Sequence, residues 1–318
     1  MSKVLVTGGG GFIGSAMINK LIEKDFEVKA FDLGIQFDEN PPAEGVEVYK
    51  GSILDKNDLM KATKGCDYVI HLAAALGVKR TEEERLSTLS INIQGTVNVL
   101  EACIQDNIKK IIFSSSSEVY GEQTKLPIKE NNPLNPKSIY AVTKLAGEEY
   151  LRAFKQRYDL DYTIIRFFNV YGPAQVAEFV MPKFIYMVKN NVSPKIYGKG
   201  NQIRAFCYVE DAAEGAYLAL KNKDANSEVF NIGNDKEPVT MENLAKKIIK
   251  ISGKDIKPEY VPMEKSDRTQ KREIIKRMPD ISKARKILGY EPKISIDEGI
   301  KKTLDQEEIR RTWAIPTK

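Results

Sequence analysis

With 318 residues, 42% apolar and 29% charged, the chain is long enough for one large domain or two interleaved ones and has a globular composition. Its 49 basic and 44 acidic residues leave a net charge of +5 without blocks of one sign, which suits an anionic small ligand as well as nucleic acid. A single histidine, His71, argues against a histidine-built metal centre or a Ser-His-Asp triad. The three separated cysteines, Cys66, Cys103 and Cys207, lack metal-ligand spacing, so no metal site is expected. Acid–base chemistry then falls to Tyr, Lys, Ser, Asp or Glu. With no apolar run near ~18 residues and no leader-like N-terminus, a cytoplasmic protein with free thiols is expected.

In chain order, KVLVTG (3–8) is a β-rich run entering a glycine-rich turn, and FIGSAMINKLIEKD has helical apolar spacing. FEVKAFDL (26–33) and VEVYKGSILD (46–55) read as strands, and KNDLMKATKG as a helix. DYVIHLAAA (67–75) is a strand running into a small-residue loop, and 84–107 is one long helix. KKIIFSS is a strand, 138–158 a helix and DYTIIRFFNVYG a strand again. This alternation over about half the chain predicts an α/β fold with a doubly wound parallel sheet of the Rossmann type. From about residue 173 prolines punctuate mixed segments, with helices over 241–252 and 280–288. RAFCYVEDAAEGAYLAL (204–220) and EVFNIG (228–233) read as strand and helix elements that rejoin the first sheet. The expected organisation is a dinucleotide-binding domain of residues 1–172, rejoined by 204–233. A smaller mixed C-terminal substrate domain comprises 173–203 and 234–318.

TGGGGFIG (7–14) follows the first strand and opens a helix, with Gly8, Gly11 and Gly14 in Gly-x-x-Gly-x-x-Gly spacing. Glycines there allow a tight turn and let a pyrophosphate reach the free N–H groups of a helix N-terminus. Asp32 ends the second strand and can accept hydrogen bonds from both adenosine ribose hydroxyls while repelling a 2′-phosphate. No arginine follows it closely, since DLGIQFDEN is acidic, so the expected cofactor is NAD rather than NADP. In SIYAVTKLAGEE (138–149), Tyr140 and Lys144 stand at i and i+4, one above the other on a helix face. A nearby ammonium and a cationic nicotinamide ring are expected to lower the phenol pKa, fitting Tyr140 to exchange a proton with a sugar hydroxyl.

With VTGGGGFIGS, VIHLAA, NIQGTVNVLEA, FSSSSEVYGE, YAVTKLAGEE, RFFNVYGP and RAFCYVED in order, the chain resembles the extended short-chain dehydrogenases/reductases in their nucleotide-sugar epimerase/dehydratase branch. The resemblance spans almost the whole chain. It implies a triad of Ser116, Tyr140 and Lys144, with Ser116 bonding the reacting sugar oxygen. It also implies an NAD site formed by Gly8, Gly11, Phe12, Ile13, Gly14, Asp32, Leu33, Ser52, Ile53, Leu72, Ala73 and Ala74, together with Tyr140 and Lys144. Asn169, Arg204 and Arg272 are implied at the substrate diphosphate, and Arg277 where relatives admit or exclude an N-acetyl group. Two positions depart from the pattern: Ser52 stands where the family often has Asp, and Ala174 where many relatives carry arginine.

The resemblance implies a UDP-sugar substrate and a homodimer paired through helices 84–107 and 138–158, with Leu89, Val97, Leu145 and Leu151 as apolar candidates. Three reactions share an initial oxidation at sugar C4, and Glu118, a further candidate catalytic residue, keeps the choice among them open. A dehydratase or decarboxylase uses a carboxylate near that position, whereas a 4-epimerase needs only the triad. NPKSIYAVTK is the epimerase-like form, so a UDP-hexose 4-epimerase is favoured, with UDP-glucuronate decarboxylase or 4,6-dehydratase as alternatives. A non-catalytic NAD-binding regulator is a different class, disfavoured by the intact triad. No basic helix or aromatic stacking motif points to nucleic acid.

Overall fold

The computed structural model describes residues 1–77, 80–265 and 274–306. Strand β1 (Lys3–Thr7) leads into α1 (Phe12–Glu23), followed by β2 (Glu27–Asp32), a short α2 (Gly34–Glu39), β3 (Glu47–Lys50), α3 (Lys56–Thr63) and β4 (Tyr68–His71). The strand expected over 46–55 stops at Lys50, because Asp55 turns the chain into α3 by accepting from the N–H groups of Asn57 and Asp58. The helix expected over 84–107 runs from Arg85 to Gln105, as α5 (Arg85–Leu89), a π-helical turn (Ser90–Gln94) and α6 (Gly95–Gln105), with a separate short α4 (Arg80–Glu83) before it. The bulged turn presents Asn92, whose side chain bonds Ala75 N–H and carbonyl at 2.7 and 3.0 Å and the Thr143 hydroxyl at 3.0 Å.

Next come β5 (Lys110–Ser116), a 3₁₀ turn (Ser117–Tyr120), α7 (Ile139–Tyr158), β6 (Asp161–Phe167), β7 (Val170–Tyr171), α8 (Val180–Lys189) and β8 (Lys195–Tyr197). The chain continues through β9 (Ile203–Arg204), β10 (Cys207–Tyr208), α9 (Val209–Lys221) and β11 (Glu228–Ile232). The last elements are β12 (Val239–Thr240), α10 (Met241–Ser252), β13 (Glu259–Val261), β14 (Lys276–Arg277), α11 (Ser282–Leu288) and α12 (Ile296–Leu304).

Seven strands form one parallel sheet in the order β11-β6-β5-β4-β1-β2-β3. Alternate residues of its strands feed opposite faces. Val4, Val6 and Ile112 pack with α1, α9 and α11, whereas Leu5, Ile111 and Phe113 pack with α3, α6 and α7. β11 joins the sheet edge beside β6, but β9 and β10 stay outside it: β10 pairs with β7, and β9 with β12 and β14. A third core, built from Phe184, Ile185, Leu244, Ile248 and Ile300, joins α8, α10 and α12. Amphipathic α10 places Leu244, Ala245, Ile248 and Ile249 inward, with its first turn capped by Thr240 and its end by left-handed Gly253. The strand order reverses between β1 and β4, which opens a crevice at the carboxyl ends of the strands.

Candidate active site

The loop after β1 is tightly wound. Gly8 has φ +77, and a Cβ at Gly14 would overlap the Gly8 carbonyl oxygen, so only glycine lets the first turn of α1 approach the loop. The helix cap at Gly11 supplies no side-chain acceptor, leaving the first N–H groups of α1 for an anion. Asp32, at the end of β2, accepts from Gly10 N–H at 3.1 Å and Leu33 N–H at 2.8 Å. Burial raises its carboxyl from 3.8 to about 6 despite those bonds. A carboxylate held this way beside a glycine loop fits the two ribose hydroxyls of a dinucleotide.

The loop opens into a cleft of about 590 Å³ along the carboxyl ends of the strands. Its walls include Gly8, Gly11, Phe12, Ile13 and Gly14, then Asp32, Leu33, Ser52 and Ile53, and Leu72, Ala73 and Ala74. Ser116, Glu118, Tyr140, Asn169, Arg204 and Arg277 line the same cleft further on. Lys144 stands behind this wall. It is 3% exposed, with Nζ 5.6 Å from the Tyr140 ring centre and 5.1 Å from that of Phe113. Arg272 lies outside the described residues.

Ser116 ends β5, and its Oγ accepts from Glu118 N–H at 3.2 Å, which leaves the hydroxyl proton available to a ligand in the cleft. Tyr140 lies in the first turn of α7. Ser138 caps that turn by accepting from Ala141 N–H, while Glu82 accepts from Ile139 N–H at 3.2 Å. The Ser138 hydroxyl donates to Glu118 Oε2 at 3.1 Å, and Glu118 Oε1 lies 3.8 Å from the Arg277 guanidinium. Arg277 and Arg204 are partners in the β14–β9 ladder and are 5% and 7% exposed. Two adjacent buried guanidinium groups favour an anion that both can reach. Asn169, at φ +40, is fixed by its side-chain amide on the Ala205 carbonyl at 2.8 Å.

Electrostatics depart from expectation at Tyr140. In the chain alone, burial and then the Glu118 carboxylate push the phenol up, and burial pulls Lys144 down to about 7. The two side chains share a helix face without a hydrogen bond in this structure, so the lysine does not offset the phenol's burial. His71, 1% exposed between the hydroxyls of Thr7 at 2.7 Å and Thr96 at 3.1 Å, falls to about 3 and stays neutral. Glu82, Asn92 and Ser138 were not identified as site residues from the sequence. Only Ser138 carries a local signal, as a serine just before a helical run. Among the described residues no cluster of His, Cys, Asp or Glu could hold a metal ion, and no helix is long and apolar enough to cross a membrane.

A family model described as the NAD dependent epimerase/dehydratase family matches residues 4–233. The crystal structure of UDP-glucose 4-epimerase from Thermotoga maritima, with UDP-glucose, is 35% identical, with a TM-score of 0.88 over 95% of this chain and 97% of that one. UDP-N-acetylglucosamine 4-epimerase from Methanobrevibacter ruminantium M1, in complex with UDP-N-acetylmuramic acid, is 36% identical, with a TM-score of 0.87 over 95% and 97%. A UDP-N-acetyl-alpha-D-glucosaminuronate decarboxylase of Bacillus cytotoxicus is 33% identical over 313 residues, 95% of this chain and 96% of the relative.

Proposed function

The chain belongs to the NAD dependent epimerase/dehydratase family, and within it we propose a 4-epimerase of a UDP-hexose, acting on the UDP-N-acetylglucosamine/UDP-N-acetylgalactosamine or UDP-glucose/UDP-galactose pair. The glycine loop would hold the cofactor pyrophosphate, Asp32 its ribose, and Tyr140 and Lys144 its far end. Bound NAD supplies reversible hydride acceptance at a carbon that bears a hydroxyl. Tyr140 takes the proton of that hydroxyl, and Ser116 donates a hydrogen bond to the same oxygen. Arg204 and Asn169 hold the diphosphate end, with Arg272 as a further candidate, and Arg277, against Ser117 and Glu118, faces the sugar. Inversion asks the chain only to return the proton after the 4-keto sugar has turned. The protein acts in the cytoplasm as a homodimer.

The observation that carries this reading is the engagement of Glu118. One oxygen accepts a hydrogen bond from the α7 cap serine and the other faces Arg277. A carboxylate so placed serves the architecture of the Tyr140 helix, and Ser117 occupies the position before it, where many dehydratases supply an acid. Uronate decarboxylation is the second reading, favoured by the buried Arg277 guanidinium close to Glu118, which suits a C6 carboxylate. Glu118→Gln separates the two. The epimerase reading expects C4 inversion to keep at least about a tenth of its rate, whereas loss beyond about 10²-fold, the scale of general acid–base catalysis, would reject it.

A further inference from the structure

Tyr140, Lys144 and Glu148 are spaced by four along α7 and share a face, yet no reaction above uses Glu148. Its carboxylate is fully buried, and its partners leave none of its oxygens idle. Oε1 accepts from Ser115 Oγ at 2.6 Å and from Arg166 Nε at 2.9 Å, and Oε2 accepts from Arg166 Nη2 at 2.6 Å. Ser115 immediately precedes Ser116, and Arg166, 2% exposed, is its register partner on β6. The helix can come this close because residue 147 is glycine, since a Cβ there would overlap the Phe113 ring.

The network continues away from the cleft. Arg166 Nη1 donates to Tyr120 Oη at 2.9 Å, with the guanidinium 4.8 Å from that ring centre. The Tyr120 hydroxyl donates to Asn231 Oδ1 at 2.6 Å. The Asn231 amide donates to the carbonyls of Ile128 at 2.9 Å and Asp280 at 3.3 Å. Ile128 in turn pairs through its backbone with Met278 and Asp280, beside Arg277. One buried chain of hydrogen bonds thus joins the Ser116 strand, the Tyr140 helix and the segment bearing Arg277.

A buried ion pair is weak evidence for stability, because desolvation offsets its attraction and apolar replacements often serve as well. Here the pair lies one residue from the reacting serine and two helical turns from the reacting tyrosine. We propose that Glu148 is a positioning residue which, through Ser115 and Arg166, fixes Ser116 against the Tyr140 phenol. The Tyr120–Asn231 arm holds the Arg277 segment in register with both. The proposal rests on Ser116 and Tyr140 being the reacting pair.

The test uses NAD-loaded protein and Ser115→Ala, which removes one hydroxyl and leaves the ion pair whole, with Ser115→Thr and Tyr120→Phe beside it. Reduction of the bound cofactor by UDP-glucose, UDP-N-acetylglucosamine or UDP-glucuronate, read by absorbance in a single turnover, reports the oxidation step that the rival reactions share. Misplacement of reacting groups by an ångström or less lowers rates by up to about 10²-fold, so Ser115→Ala is expected to slow this step about 10-fold. KM and NAD content should stay within about twofold of wild type, and Ser115→Thr should restore most of the rate, as expected for positioning rather than binding. Unchanged reduction in Ser115→Ala overturns the proposal, as does a loss that the threonine variant fails to restore or that tracks a rise in KM. Should wild-type protein reduce its cofactor without inverting C4, the epimerase reading falls while these comparisons still judge the network. Absence of reduction with all three sugars removes both.

Discussion

At the scale of single residues, the proposed chemistry concentrates on Tyr140. A buried phenol beside a carboxylate resists ionisation, so its use as a base depends on positive charge brought close to it. Tyr140→Phe removes the proton acceptor and is expected to lower turnover at least ~10²-fold while UDP binding by calorimetry is retained. Asp32 gives a pH test. Its carboxyl is raised from 3.8 to about 6, so the folded chain holds the extra proton between those values. Stability of NAD-free protein therefore falls as pH rises through that window, and the deficit persists above it. Urea unfolding at pH 4 to 7 should show this slope in wild type and its loss in Asp32→Asn. Asp32, Tyr140 and Lys144 were legible because each sits at a fixed offset from a strand end or along a helix. The phenol's rise was not, because it depends on burial by segments distant in sequence.

At the scale of elements, α7 carries the site, and its seating on β5 is set by Gly147 against Phe113. Gly147→Ala overpacks this contact and is expected to lower stability by about 1–3 kcal/mol, with turnover falling as α7 lifts. Phe113→Leu in the same chain should recover part of both losses, in chemical denaturation and in assays alike. Most strands were legible from buried β-branched runs, but the π-helical turn inside the 85–105 helix was not. Its cause is Asn92, whose side chain bonds the Ala75 backbone across 17 positions in the sequence. Periodicity records apolar faces and carries no trace of such a polar tie. The short β9, β12 and β14 strands were equally hidden, since two-residue pairings leave no alternation to read.

At the scale of the whole molecule, α5 and α7 leave Leu86 82%, Val142 42% and Tyr150 39% exposed, whereas Leu151 is 1% exposed and belongs to the core. The proposed dimer face therefore loses Leu151, one of its four apolar candidates, and would draw on Leu86, Val142 and Tyr150. Light scattering at micromolar concentration should give twice the chain mass, and Leu86→Glu with Val142→Glu should shift it to the monomer. A monomeric wild type would count against the pairing. The sheet, the glycine loop and the gathering of Ser116 and Tyr140 at one cleft were open to sequence reading because each is local or periodic. The contact of Glu118 with Ser138 and Arg277 was not, because three separate segments converge there.

That convergence underlies the choice among reactions, and product NMR in deuterium oxide tests it most directly. UDP-glucose, UDP-N-acetylglucosamine and UDP-glucuronate are each incubated with NAD-loaded protein. The account predicts a C4-inverted UDP-hexose from at least one of the first two, with no solvent deuterium at C5. Carbon dioxide and a pentose from UDP-glucuronate, or deuterium at C5 with loss of water, would contradict it.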